Sequence, residues 1–153
     1  YKIFKDNIGK NINFYWFRVF YVFGYPQRQG SLIPSIINAI KNNKYIELKN
    51  LSAKNDYIYI DDLILILINF IKKNYRTGIY NIGSGKLTSN YSIYQYIKNT
   101  INKDYNKLII KEKKLQNKEI WSSNLKIEET LNKKLAFNVV SGLKKTINHY
   151  IKK

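Results

Sequence analysis

Residues 77–89 read "TGIYNIGSGKLTS". A short apolar strand runs into Gly-Ser-Gly-Lys, and a helical pattern follows, so the first candidate is a phosphate loop. A P-loop has a glycine five residues before the Gly of its Gly-Lys pair and a Ser or Thr after the lysine. The lysine reaches phosphate and the hydroxyl holds Mg²⁺. Here Gly85-Lys86 has Tyr80 at the first place and Leu87 at the second, so both requirements fail. The three-glycine dinucleotide pattern is absent from the whole chain. The stretch is therefore read as a short strand over 79–83 closed by a tight glycine turn.

Outward from that turn the periodicity keeps changing. Residues 12–24, "INFYWFRVFYVFG", are dense in aromatic and β-branched side chains, which predicts a strand buried on both faces. A loop over 25–31 leads to "LIPSIINAIKNN", residues 32–43, where Ile33, Ile36, Ile37 and Ile40 fall at helical spacing. Pro34 suits its first turn. Short strands are predicted at 45–48 and 55–62. Asp61 and Asp62 open a helix to about residue 74, as carboxylates favour the positive end of the helix dipole, with Asp62 read as its cap. That helix is apolar nearly all round and is predicted to be well buried. Gly78 reads as a stop. Helices are predicted at 89–102, 122–135 and 141–153, and a strand at 107–111. Residues 1–10 read as a helix tail with Gly9 at its cap. Trp121 and Phe137 read as core or interface aromatics. Strands alternating with helices define an α/β class.

Composition narrows the function. Without cysteine there are no disulfides and no thiolate metal sites, and a single His149 leaves no histidine cluster, so no metal is expected. No apolar run reaches the roughly 18 residues of a membrane span; the expectation is a soluble, cytoplasmic protein. The chain lacks methionine, even at position 1, so Tyr1 is read as the start of a fragment. The net charge of +17 invites a nucleic-acid reading. Only Arg18, Arg28 and Arg76 are arginine, however, and the other 24 of the 27 basic residues are lysines scattered along the chain. Phosphate and base readers favour arginine's two-pronged geometry. A small basic polyanion- or nucleic-acid-binding module is kept as the alternative.

The ordered set "WFRVFYVFG", "SLIPSIINAIKNN", "NDYIYIDDLILILINFI", "GIYNIGSGKLTS" and "SSNLKIEETL" resembles the carboxyl-terminal half of the extended short-chain dehydrogenase/reductase family. These are NAD-dependent epimerases and dehydratases of nucleotide-activated sugars. The resemblance runs from about residue 12 to 151 and weakens at "LAFNVV", where members carry Gly-Trp-x-Pro. It implies the carboxyl-terminal portion of a Rossmann-like NAD(P)-binding fold with a smaller substrate-binding subdomain, forming a single incomplete domain over 1–153. It also implies NAD or NADP as cofactor, a nucleotide-diphosphate sugar as substrate, and a homodimer in the complete enzyme.

The same resemblance assigns residues. Phe20 matches the aromatic beside the nicotinamide. Tyr21 replaces an asparagine that contacts the sugar-nucleotide phosphates. Arg28, in the following loop, could meet a diphosphate. Ser31 and Leu32 match the segment entering the nucleotide-binding helix. Asn55 stands where many members place a diphosphate-binding arginine, and members acting on cytidine-linked sugars share its Asn-Asp step. The family's Tyr-x-x-x-Lys pair has its spacing in Tyr1 and Lys5, but the family places that tyrosine about two turns further upstream. The chain is therefore read as beginning after the catalytic pair and as inactive alone.

Overall fold

The computed structural model describes residues 2–7, 12–111 and 119–152. In order these form α1 (Lys2–Asn7), β1 (Tyr15–Val19), β2 (Tyr21–Phe23), α2 (Leu32–Lys41), β3 (Ile46–Lys49), β4 (Lys54–Tyr59), α3 (Ile60–Lys72), β5 (Gly78–Ile82), β6 (Leu87–Ser89), α4 (Asn90–Ile101), β7 (Leu108–Lys111), α5 (Leu125–Leu131) and α6 (Val139–Ile151). The Gly9 cap and Tyr1 lie outside the described residues, as does the side chain of Lys5.

Three strand pairs are parallel: β1 with β5, β2 with β4, and β3 with β7. Among the described residues only β6 runs antiparallel, against β4. The expected α/β class stands, and β6 is a strand the sequence reading missed. Side chains alternate across a strand, and β4 uses this to separate two cores. Tyr57 and Tyr59 face one cluster, built with Phe23 from α2, α4 and α6. Ile58 faces the other, built from α3, Tyr80, Ile82 and Ile127 of α5. α6 lies so close to the sheet that a Cβ on Gly142 would stand 2.8 Å from the Tyr59 ring, so glycine is required there.

Several expectations are corrected. The 12–24 strand is not buried on both faces. It breaks at Phe20, whose N–H still bonds Ile82 O at 3.0 Å, and then changes partner from β5 to β4. Trp16, Val19 and Tyr21 are exposed: the α3 cluster takes Tyr15 and Phe17 on one side of β1, which leaves Trp16 outside, and its cover does not extend to Val19 or Tyr21. α3 is likewise half-covered. Leu63, Ile66 and Phe70 are buried at helical spacing, whereas Ile64, Leu65, Ile68 and Ile71 are exposed. Its N-cap position is Tyr59; Asp61 and Asp62 sit in the first turn, so Asp62 is not the cap. Burial raises the Asp62 carboxyl above its ordinary pKa, opposed by Lys145. Gly78 begins β5 and stops no helix. The 122–135 helix shrinks to α5, ended by Asn132 in the left-handed region. Trp121 is 56% exposed and is not a core residue, while Phe137 packs against the α3 cluster.

Candidate functional site

Beside the β1–β2 break lies a cavity of about 540 Å³ lined by Arg18, Val19, Phe20, Tyr21, Asn55 and Ile120. Arg18 and Phe20 are two apart on an extended chain, which puts them on one face. Tyr21 stands opposite Tyr57 in the β2–β4 register, with ring centroids 5.6 Å apart. Asn55 Nδ2 lies 3.5 Å from the Tyr57 hydroxyl, which donates to Asn90 Oδ1 at 2.8 Å. Burial pushes the Tyr57 phenol up to about 12, against a lowering by the Asn55 hydrogen bond. Tyr57 therefore keeps its proton and braces the site. Among the described residues no carboxylate forms an ion pair with Arg18. The lining is thus cationic, aromatic and open.

Three expected site residues, Phe20, Tyr21 and Asn55, share this cavity. Arg28, Ser31 and Leu32 do not line it. Arg28 is exposed in the loop after β2, and its carbonyl accepts from the Ser31 N–H at 3.2 Å. Ser31 occupies the N-cap position of α2 without a side-chain cap bond, and Leu32 packs on the first core cluster. The ends of β2 and β4 do meet. Gly24, Tyr25, Pro26, Gln27 and Ile60 line a small cleft of about 90 Å³.

The glycine turn has a different task. Asp56 is fully buried in β4, and its two carboxylate oxygens accept five hydrogen bonds. Oδ1 takes the N–H and hydroxyl of Ser84, at 2.5 and 2.6 Å. Oδ2 takes the Gly85 N–H at 3.1 Å and the N–H and hydroxyl of Ser122 at 2.8 and 2.7 Å. A Cβ on Gly83 would collide with Asp56 and Ser122, so the close approach demands glycine. The Gly-Ser-Gly turn is an anion cradle, and the anion is the protein's own.

Sequence reasoning missed Arg18, Ile120, Asp56, Ser84 and Ser122. A lone charge inside the apolar run "NDYIYI" was the available signal for Asp56; nothing local marked Ser122, 66 residues away. Among the described residues no three His, Asp or Glu side chains gather to hold a metal, and no helix is long and apolar enough to cross a membrane.

This fold has counterparts among known proteins. The NAD dependent epimerase/dehydratase family model matches residues 6–83, just over half of the chain. The chain belongs to that family. Among epimerase/dehydratase relatives, CDP-abequose synthase of Salmonella muenchen is 31% identical over 83 residues, covering 53% of this chain and 28% of that protein. GDP-6-deoxy-D-talose 4-dehydrogenase of Aggregatibacter actinomycetemcomitans is 35% identical over 81 residues, covering 52% of this chain and 28% of that protein. Of solved structures, UDP-N-acetylglucosamine 4-epimerase from Methanobrevibacter ruminantium M1, in complex with UDP-N-acetylmuramic acid, superposes with a TM-score of 0.83 at 20% identity, covering 99% of this chain and 49% of that one. At that identity the likeness shows the epimerase/dehydratase fold alone. This chain spans less than a third of these two relatives and about half of that structure.

Proposed function

We propose that this chain supplies the substrate-holding, carboxyl-terminal part of an NAD(P)-dependent epimerase, dehydratase or reductase, and that its cavity takes a nucleoside-diphosphate sugar. The observation that carries this reading is the lining of the 540 Å³ cavity, where one guanidinium, two aromatic side chains and one amide converge. A diphosphate calls for a cation with paired donors, which Arg18 offers. Asn55 adds a neutral donor. The nucleotide-sugar names of the relatives support the same class, and the Asn55-Asp56 step points toward a cytidine nucleotide.

The residues present fit one end of a dinucleotide. Phe20 is half-buried, aromatic and open to the cavity, as a nicotinamide neighbour must be. Bound NAD(P) would supply the hydride acceptor for oxidation of a sugar carbon, or in its reduced form the hydride donor for reduction of one. This chain's part is to fix the sugar there: Arg18 and Asn55 hold the diphosphate, and Phe20 with Ile120 excludes water from the reacting end. With no Gly-x-Gly-x-x-Gly pattern in its sequence, the isolated chain is expected to bind ligand without turnover.

Calorimetric titration with CDP, UDP, GDP and dTDP tests this. The expected result is one-to-one saturation by at least one of them, unaffected by generic DNA. Failure of all four to bind overturns the reading. DNA binding that falls steeply with salt would return the chain to the basic polyanion-binding class.

A further inference from the structure

We infer that Asp56 is a positioning residue for this cavity: through Ser122 it sets where the Ile120 wall stands relative to Asn55. The inference rests on the reading just given, because it concerns the same cavity. Asp56 does not line the cavity. Asn55 and Asp56 are consecutive in β4, so their side chains leave on opposite faces. Asn55 enters the cavity, and Asp56 turns away from it into the cradle.

Ser122 is only two residues beyond Ile120, and both its N–H and its hydroxyl end on Asp56 Oδ2. One carboxylate thereby ties two walls of the cavity together. Among the described residues the other ties on the Ile120 wall are neutral or lie on the surface: the Gly85 N–H also donates to Ser122 Oγ at 3.2 Å, and the Ser122 hydroxyl donates to Asn124 Oδ1 at 2.9 Å. Ile120 is 64% exposed and Trp121 is 56% exposed, so apolar burial does not fix the segment. The Lys54–Glu119 ion pair, 3.0 Å long, lies on the surface with both partners about half exposed, a setting where such pairs contribute little. Asn124 adds one bond to Gly83 O at 3.1 Å, beyond Ser122 from the cavity. Charge-assisted bonds are the strong ones, and here they run to Ser122.

The chain has two tryptophans, so Trp16→Phe leaves Trp121 as the reporter beside the wall. In that background, time-resolved Trp121 anisotropy and affinity for CDP, UDP, GDP and dTDP are measured for Asp56→Asn, Ser122→Ala, Ser122→Thr and Glu119→Gln. We expect Ser122→Ala to enlarge the fast local motion of Trp121 and weaken nucleotide binding about ten-fold, as loss of a hydrogen bond to a charged group does. Asp56→Asn should do more, Ser122→Thr should restore both, and Glu119→Gln should change neither. Should Asp56→Asn fail to fold, the Ser122 pair decides. The inference is overturned if folded Ser122→Ala matches its background in anisotropy, if Glu119→Gln loosens Trp121 equally, or if the wall loosens while affinity stays constant. If the background binds none of CDP, UDP, GDP and dTDP, the proposed function fails, and the anisotropy still decides whether Asp56 holds the wall.

Discussion

The Asp56 cradle and the Arg18 cavity lie on either side of one strand and treat charge in opposite ways. In the cradle a carboxylate is sealed from water and saturated by neutral donors from the 84–85 and 122 segments. In the cavity a guanidinium stands exposed, with no described carboxylate paired to it. A charge satisfied by its own chain builds structure, and a charge left open toward a concave surface is available to a ligand. Glycines, serines and backbone amides alone do not tell the two apart; what fills the space between them does.

The sharpest break of this contrast is Asp56→Ala. It takes the carboxylate from three backbone N–H groups and two hydroxyls, and among the described residues the Ser84 and Ser122 N–H groups have no second acceptor, each costing about 1–3 kcal/mol when buried and unmade. We expect a loss above about 4 kcal/mol, outside the ordinary range for a substitution, read by urea unfolding followed by circular dichroism. Arg18→Gln should leave stability within about 0.5 kcal/mol and weaken nucleoside-diphosphate binding about ten-fold or more, read by calorimetry. Equal damage to stability from both substitutions would erase the distinction.

Tyr57→Phe is intermediate, because it removes a buried bond to Asn90 and should cost about 1 kcal/mol. It carries a pH signature as well. The Tyr57 phenol is raised from 10.0 to about 12 in the folded chain, so the native state keeps a proton that the unfolded state sheds. Its stabilising contribution is complete below pH 10 and is lost as pH rises toward 12. The alkaline fall in stability over that window should be shallower in Tyr57→Phe. The smallest effect is expected from Asn55→Ala, whose lost bond is 3.5 Å long. Stability should move by less than about 0.5 kcal/mol, with a few-fold weakening of nucleotide binding.

The order of elements was legible because apolar spacing differs between strand and helix. Ile33, Ile36, Ile37 and Ile40 announce α2, and all four are buried. The same logic failed for α3, where apolar residues on every side say nothing about which neighbour covers them. Phe20, Tyr21 and Asn55, three of the expected residues, line the candidate cavity because they sit in or beside motifs on the strands that frame it. Ile120 and Ser122 were not readable, since their roles exist only once the 120–122 segment folds back on β4. The glycine turn was correctly refused as a phosphate loop, and its actual occupant could be found only in three dimensions.

The bare stripe of Ile64, Leu65, Ile68 and Ile71 on α3 has a colloidal consequence. Two copies gain by pressing these stripes together, and the net charge of +17 opposes their approach. Physiological salt shortens the reach of that repulsion to about 8 Å. Purified chain should therefore stay dispersed in dilute buffer and self-associate as sodium chloride is added, the reverse of a protein whose contacts are ionic.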